Sequence, residues 1–302
     1  MYILKGFFVK NKWFYFIPIL SFLGIVIISL FTPSSGNEIQ KIINLIGELP
    51  TFSFILSPYV IMLLGLFFVV KFIHFQSITN FTTSRKKIDF KRVLLSFCIW
   101  GIFICLETFI SYLCFPNDYV WNFNFAPFII LVFLSFLLIP FQAGFEEYFF
   151  RAYLLQALGL ISKNKFIPLI ISSLIFGLVH IANPEIIKMG YGFLFFYILL
   201  GLFMGILVLM DEGLELSLGF HIANNIFIAL LVTSDWTAFQ TPSILKEVNN
   251  TGNFSFYQVG IYILVLSGLL YFFSRVYKWT NWKEKLFGKI EKPKEENGEY
   301  NI

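Results

Sequence analysis

The chain has 302 residues, of which 58% are hydrophobic and 13% charged, with a net charge of +4; its mean hydropathy is +0.78. A soluble domain carries about 25% charged residues. Half that level, together with repeated apolar runs of about 20 residues, makes lipid the solvent. It leaves no nucleic-acid footprint and no polar stretch long enough for a separate soluble domain.

Apolar runs cover residues 13–31, 52–72, 93–115, 126–160, 166–182, 191–210, 214–234 and 256–277. A backbone in hydrocarbon must satisfy its polar groups within its own segment, so each run is expected as a helix. The first run begins at Trp13 after Lys5, Lys10 and Lys12. No small-residue cleavage site follows it, so it reads as a retained span. Residues 37–49 have helical apolar spacing and are expected on the outer surface. Cys98, Cys105 and Cys114 lie in or at the end of the third run. They read as small buried hydrophobes, without the spacing of a metal site or a disulfide framework. Glu107, near the middle of that run, either pairs within the bundle or lines a cavity.

The fourth run would be about 52 Å long as one helix, against a hydrocarbon core of about 30 Å. Either the helix is strongly tilted and extends beyond the membrane, or it breaks near Pro140 or Gly144; a break with part of the segment at the interface keeps the charge pattern intact and is the expectation. Aromatic anchors mark several ends: Trp13 with Tyr15, Trp121, Trp236, and Trp279 with Trp282. Basic residues cluster at the N-terminus, at Arg85, Lys86, Lys87, Lys91 and Arg92, at Lys163 and Lys165, and at Lys278, Lys283 and Lys285. Assigning these to the cytoplasm gives about eight crossings of the cell membrane with both termini inside. The tail 286–302 mixes Lys and Glu and reads as mobile. No internal repeat is present. The expected fold is thus all-α, a polytopic transmembrane bundle divided into helices 1–125, a core 126–234 and a final part 235–302. Its first partner is the lipid bilayer, and its oligomeric state is left open.

A charge inside a membrane helix is costly, so it marks function by default. Glu146, Glu147, Arg151, His180 and His221 are such residues in the second half. Glu147 and Arg151 are four apart and share a helical face, where they can pair. Glu146 lies about 100° around the helix, free to project toward a cavity. His180 follows Phe176 by four residues on one face; a lone histidine of this kind is more often a satisfied interior residue. His221 and Asn225 also share a face, where an imidazole and an amide can donate to one point, as an oxyanion requires. The bland alternatives are an ion pair that fixes packing and hydrogen bonds that join helices. Against them stands a common depth. His180 lies about 22 Å along its helix from Lys165, His221 about 15 Å from Asp211, and Glu147 about 24 Å from Lys163. One polar chamber inside the bundle accommodates all three.

The groups EEYFFR (146–151), FGLVH (176–180) and HIANN (221–225) stand in an order that resembles the intramembrane peptidases of the CAAX-protease and bacteriocin-processing family, also called the Abi family. The resemblance covers roughly residues 126–234 and matches all three motifs without a departure. It implies that Glu146 is a general base acting on a water with His180. His221 and Asn225 would stabilise an oxyanion, with Glu147 and Arg151 as support. It implies a membrane-associated protein or peptide substrate: the C-terminal tripeptide of a prenylated protein, a bacteriocin leader, or a target linked to immunity. The family is also described as metallopeptidases, so a divalent metal such as zinc on Glu146, His180 and His221 stays open beside a metal-free mechanism, although HExxH spacing is absent. A non-catalytic scaffold of the same family and an ion- or proton-coupled transporter remain as alternative readings.

Overall fold

The computed structural model describes residues 2, 15–31, 36–249, 255–291, 295, 296, 299 and 300. Lys5, Lys10, Lys12 and Trp13, read above as the basic start of the first span, lie outside the described residues. The chain is an all-α membrane bundle, and its helices follow the eight apolar runs. These are α1 (Phe16–Phe31), the surface helix α2 (Gly36–Ile46), α3 (Glu48–Phe68), the short α4 (Ile78–Thr82) and α5 (Phe90–Cys114). A strand β1 (Tyr119–Trp121) precedes α6 (Phe125–Glu147), α7 (Leu155–Ser162), α8 (Phe166–Leu178) and α9 (Pro184–Met189). Then come α10 (Leu194–Asp211), α11 (Glu215–Leu231), the strands β2 (Val232–Thr233) and β3 (Leu245–Glu247), α12 (Phe256–Val276) and α13 (Trp282–Phe287). Among the described residues, five helical stretches are long and apolar enough to cross a membrane, whereas α8 and α11 are shorter apolar helices.

The helix ends are set by local chemistry. The Asp89 side chain accepts the Lys91 amide at 3.1 Å to start α5. Asn164 Oδ1 accepts the amides of Phe166 at 2.8 Å and Ile167 at 3.2 Å to start α8. Lys163 and Glu212, both in the left-handed region, end α7 and α10. The expected break near Pro140 or Gly144 does not occur. The helix runs unbroken from Phe125 to Ser162, 38 residues, or about 57 Å. Pro140 removes one backbone donor and is carried within α6. The irregularity comes later, as a π-helical stretch over Tyr148–Leu154 that joins α6 to α7.

Large apolar side chains face outward along these helices. Phe54, Ile61, Ile102, Phe109, Phe133 and Leu264 are each more than half exposed, a surface that suits lipid tails. Cys98 and Cys114 are free thiols on this outer surface, which corrects the expectation that they are buried. Glu107, also on α5, is exposed. Helices approach closely through glycine. A Cβ at Gly219 of α11 would overlap the Val93 carbonyl of α5, and one at Gly101 would overlap the Phe227 ring. Between the antiparallel α8 and α10, Gly177 faces Ile198, Gly201 faces Ser173 and Gly205 faces Leu169. Without a hydrophobic drive between helices in lipid, such close contact supplies the association.

The two ends of the bundle differ. At the basic end, Arg85 pairs with Asp211 at 2.8 Å and with Glu215 at 3.1 Å, and Arg92 pairs with Asp211. Trp279, expected as an interface anchor, is instead buried and donates from Nε1 to Asp211 Oδ1 at 3.2 Å. The tail is packed rather than mobile as far as Ile290. Lys165 Nζ binds Glu284 Oε1 at 3.0 Å, and the Ile290 amide donates to the Lys163 carbonyl at 2.8 Å. The opposite end is closed by a small sheet, in which β3 pairs antiparallel with β1 and parallel with β2.

Candidate active site

Glu146 and Glu147 are the last two residues of α6, and Arg151 lies in the π-helical stretch that follows. All three are buried. Glu147 is enclosed by partners. Its Oε1 lies 3.1 Å from Arg151 Nη1 and accepts from His221 Nδ1 at 2.8 Å. Its Oε2 accepts from the Ser217 hydroxyl. The Arg151 guanidinium also lies over the Phe176 ring, 3.9 Å from its centroid. The expected pairing of Glu147 with Arg151 is therefore present, with an aromatic face added.

The Glu147 bond fixes the orientation of His221. A carboxylate can only accept, so Nδ1 carries a proton and Nε2 turns the other way. That nitrogen lies 3.5 Å from Glu146 Oε2. Oε2 is buried and has no hydrogen-bond partner among the described residues, while Oε1 accepts from Gln142 Nε2 at 2.6 Å. His180, just beyond α8, donates from Nδ1 to the Phe176 carbonyl at 2.7 Å, since a carbonyl too can only accept. Neutral His180 therefore presents a lone pair at Nε2. Its ring stacks on Tyr197 at 4.1 Å and lies 4.8 Å from Phe176, which in turn meets His221 edge-on at 6.0 Å.

Asn225 differs from the sequence expectation in detail. It shares the α11 face with His221, but one hydrogen of Nδ2 goes to Gln142 Oε1 at 2.7 Å. With His221 Nδ1 committed to Glu147, the two residues keep one ring nitrogen and one amide hydrogen outside these bonds. Beyond His180, Asn183 Nδ2 donates to the Tyr197 hydroxyl at 3.5 Å. Glu185 Oε1 accepts the Ala238 amide at 2.8 Å, which ties α9 to the segment after β2. Burial pushes the Glu185 carboxyl up, and the bond from Ala238 offsets part of this.

The motifs do not contain Gln142, Ser217 or Tyr197, and Asn224 holds a position within the third that was given no role. Two of these carry a signal. Gln142 precedes Glu146 by four residues, and Ser217, His221 and Asn225 recur every four along α11, a polar stripe on an otherwise apolar helix. Among the described residues no three His, Cys, Asp or Glu side chains converge as a metal-binding group. Glu146, His180 and His221 are not brought together as such a group in this geometry.

Residues 124–227 match the family model described as Type II CAAX prenyl endopeptidase Rce1-like. The match spans all three motifs and bears out the resemblance read from them. The chain is also 31% identical over 177 residues to the uncharacterized protein YyaK of Bacillus subtilis (strain 168), covering 58% of this chain and 59% of that protein. The chain thus spans less than two thirds of the length of the curated relative it matches. No solved structure matches.

Proposed function

We propose that the protein is an intramembrane endopeptidase that hydrolyses a peptide bond of a membrane-associated substrate, of the CAAX type. The observation that carries this reading is the buried Glu146 Oε2, without a hydrogen-bond partner among the described residues and 3.5 Å from His221 Nε2. The family match over residues 124–227 supports it.

Glu146 takes a proton from a water held with His180 Nε2, and the water oxygen attacks the scissile carbonyl carbon. The carbonyl π electrons move onto oxygen. His221 Nε2 and the second hydrogen of Asn225 Nδ2 stabilise this oxyanion. Because His221 Nδ1 is committed to Glu147, donation from Nε2 requires both ring nitrogens to carry a proton. Collapse re-forms the carbonyl and breaks the C–N bond, and the proton on Glu146 passes to the leaving amine. No step runs through a metal.

The test is cleavage of a farnesylated peptide ending in a tripeptide, by purified protein in liposomes. Glu146→Gln and His221→Ala are expected to lower the rate by on the order of 10²–10⁴-fold, and a chelator to leave the wild-type rate unchanged. Comparing membranes that carry wild type or Glu146→Gln then looks for a native peptide cut only by the former. Both variants cleaving at the wild-type rate would overturn the reading.

A further inference from the structure

Glu146 Oε1 ends a line of hydrogen bonds that crosses three helices. Trp100 Nε1 on α5 donates to Asn224 Oδ1 on α11 at 3.1 Å. Asn224 Nδ2 donates to Asn225 Oδ1 at 3.1 Å. Asn225 Nδ2 donates to Gln142 Oε1 on α6 at 2.7 Å, and Gln142 Nε2 to Glu146 Oε1 at 2.6 Å.

The direction of this line is set from both ends. An indole N–H can only donate, and a carboxylate can only accept. Each of the three amides must therefore turn its oxygen toward Trp100 and its nitrogen toward Glu146. Flipping any one of them would set donor against donor and acceptor against acceptor. The amide dipoles are thus aligned, positive ends toward the carboxylate, and each bond polarises the next. Trp100 and Gln142 are both buried, and the Trp100 ring stacks on Phe103 at 4.8 Å and packs on Phe220 at 4.4 Å. The far end of the line is therefore anchored in the packed interior, on a helix that carries none of the three motifs.

We propose that Trp100, Asn224, Asn225 and Gln142 act as one positioning relay that fixes Glu146 through Oε1 and so aims Oε2 at the water and the substrate carbonyl. This rests on the reading of Glu146 as the base. Trp100 and Asn224 act through other groups and are positioning residues. A relay of this kind has a signature that local packing lacks. Cutting it at either end lowers kcat and leaves KM in place, and a second cut adds nothing to the first.

The experiment uses the full chain in liposomes with the farnesylated peptide. Trp100→Phe is expected to lower kcat about tenfold and Gln142→Leu about a hundredfold, the range for losing a hydrogen bond to a charged group. The double variant is expected to match Gln142→Leu alone. Should Gln142→Leu fail to fold, Asn224→Leu makes the cut instead. Infrared difference spectra of resting protein against Glu146→Gln isolate the Glu146 carboxyl band, with no turnover required. That band is expected to move in Gln142→Leu and, by less, in Trp100→Phe. Losses that multiply in the double variant, or a band that Trp100→Phe leaves in place, would overturn the relay. A wild type that cleaves nothing, with a band that still moves, would instead count against the peptidase reading.

Discussion

Arg151 is a buried cation. Glu147 lies 3.1 Å away on one side and the Phe176 ring 3.9 Å on the other. Such a pair gains little over apolar packing, but breaking it leaves an uncompensated buried charge. Arg151→Met is therefore expected to destabilise the protein by roughly 3–5 kcal/mol, read as thermal unfolding in detergent. Adding Glu147→Gln should restore most of that stability by removing the stranded carboxylate. It should not restore cleavage, because His221 then loses the carboxylate that orients it. At this scale the sequence was informative wherever spacing on one helix decided a contact. Glu147 and Arg151 pair, and Phe176 and His180 meet, as positions four apart should. It was silent on contacts between helices. Nothing at Trp100 signals that its indole reaches Asn224, 124 positions away.

Among the elements, α11 carries Ser217, His221 and Asn225, and its position against α5 sets where they point. That approach depends on Gly219, whose missing side chain makes room for the Val93 carbonyl. Gly219→Ala forces backbone apart rather than a flexible side chain, and should cost about 1–3 kcal/mol. Because the displaced helix is the one that bears the site, cleavage should fall further than thermal stability does; an activity loss no larger than the fraction unfolded would contradict this. The helices themselves were legible from hydropathy, since each apolar run became one. Other features were not. The π-helical stretch at Tyr148–Leu154 has no compositional mark, and Pro140 pointed to a break that the helix absorbs. Strands of two and three residues, at β1, β2 and β3, are too short for alternation to reveal. The packing of the tail through Ile290 depends on Lys165 and Glu284 meeting across 119 positions, which spacing along one chain segment cannot foretell.

For the molecule as a whole, charge and shape are divided between its ends. The basic end is bound by Arg85, Arg92, Asp211 and Glu215, which hold the connection before α5 to the turn between α10 and α11. The other end is closed by the three-stranded sheet. The long helix from Phe125 to Ser162 runs through the bundle with Glu146 and Glu147 part-way along it. At about 57 Å it is nearly twice the thickness of a hydrocarbon core of about 30 Å, so it must lean or protrude. A rod that exceeds its medium responds to the medium: a thicker bilayer brings it upright and a thinner one tips it. The carboxylates ride on that rod, while the histidines stand on the shorter α11 and just beyond the shorter α8. Bilayer thickness therefore becomes a setting for the enzyme proposed here. In liposomes of phosphatidylcholine with graded acyl length, cleavage should pass through a maximum, falling on both sides without loss of folded protein. A rate indifferent to chain length would mean that rod and histidines move as one body.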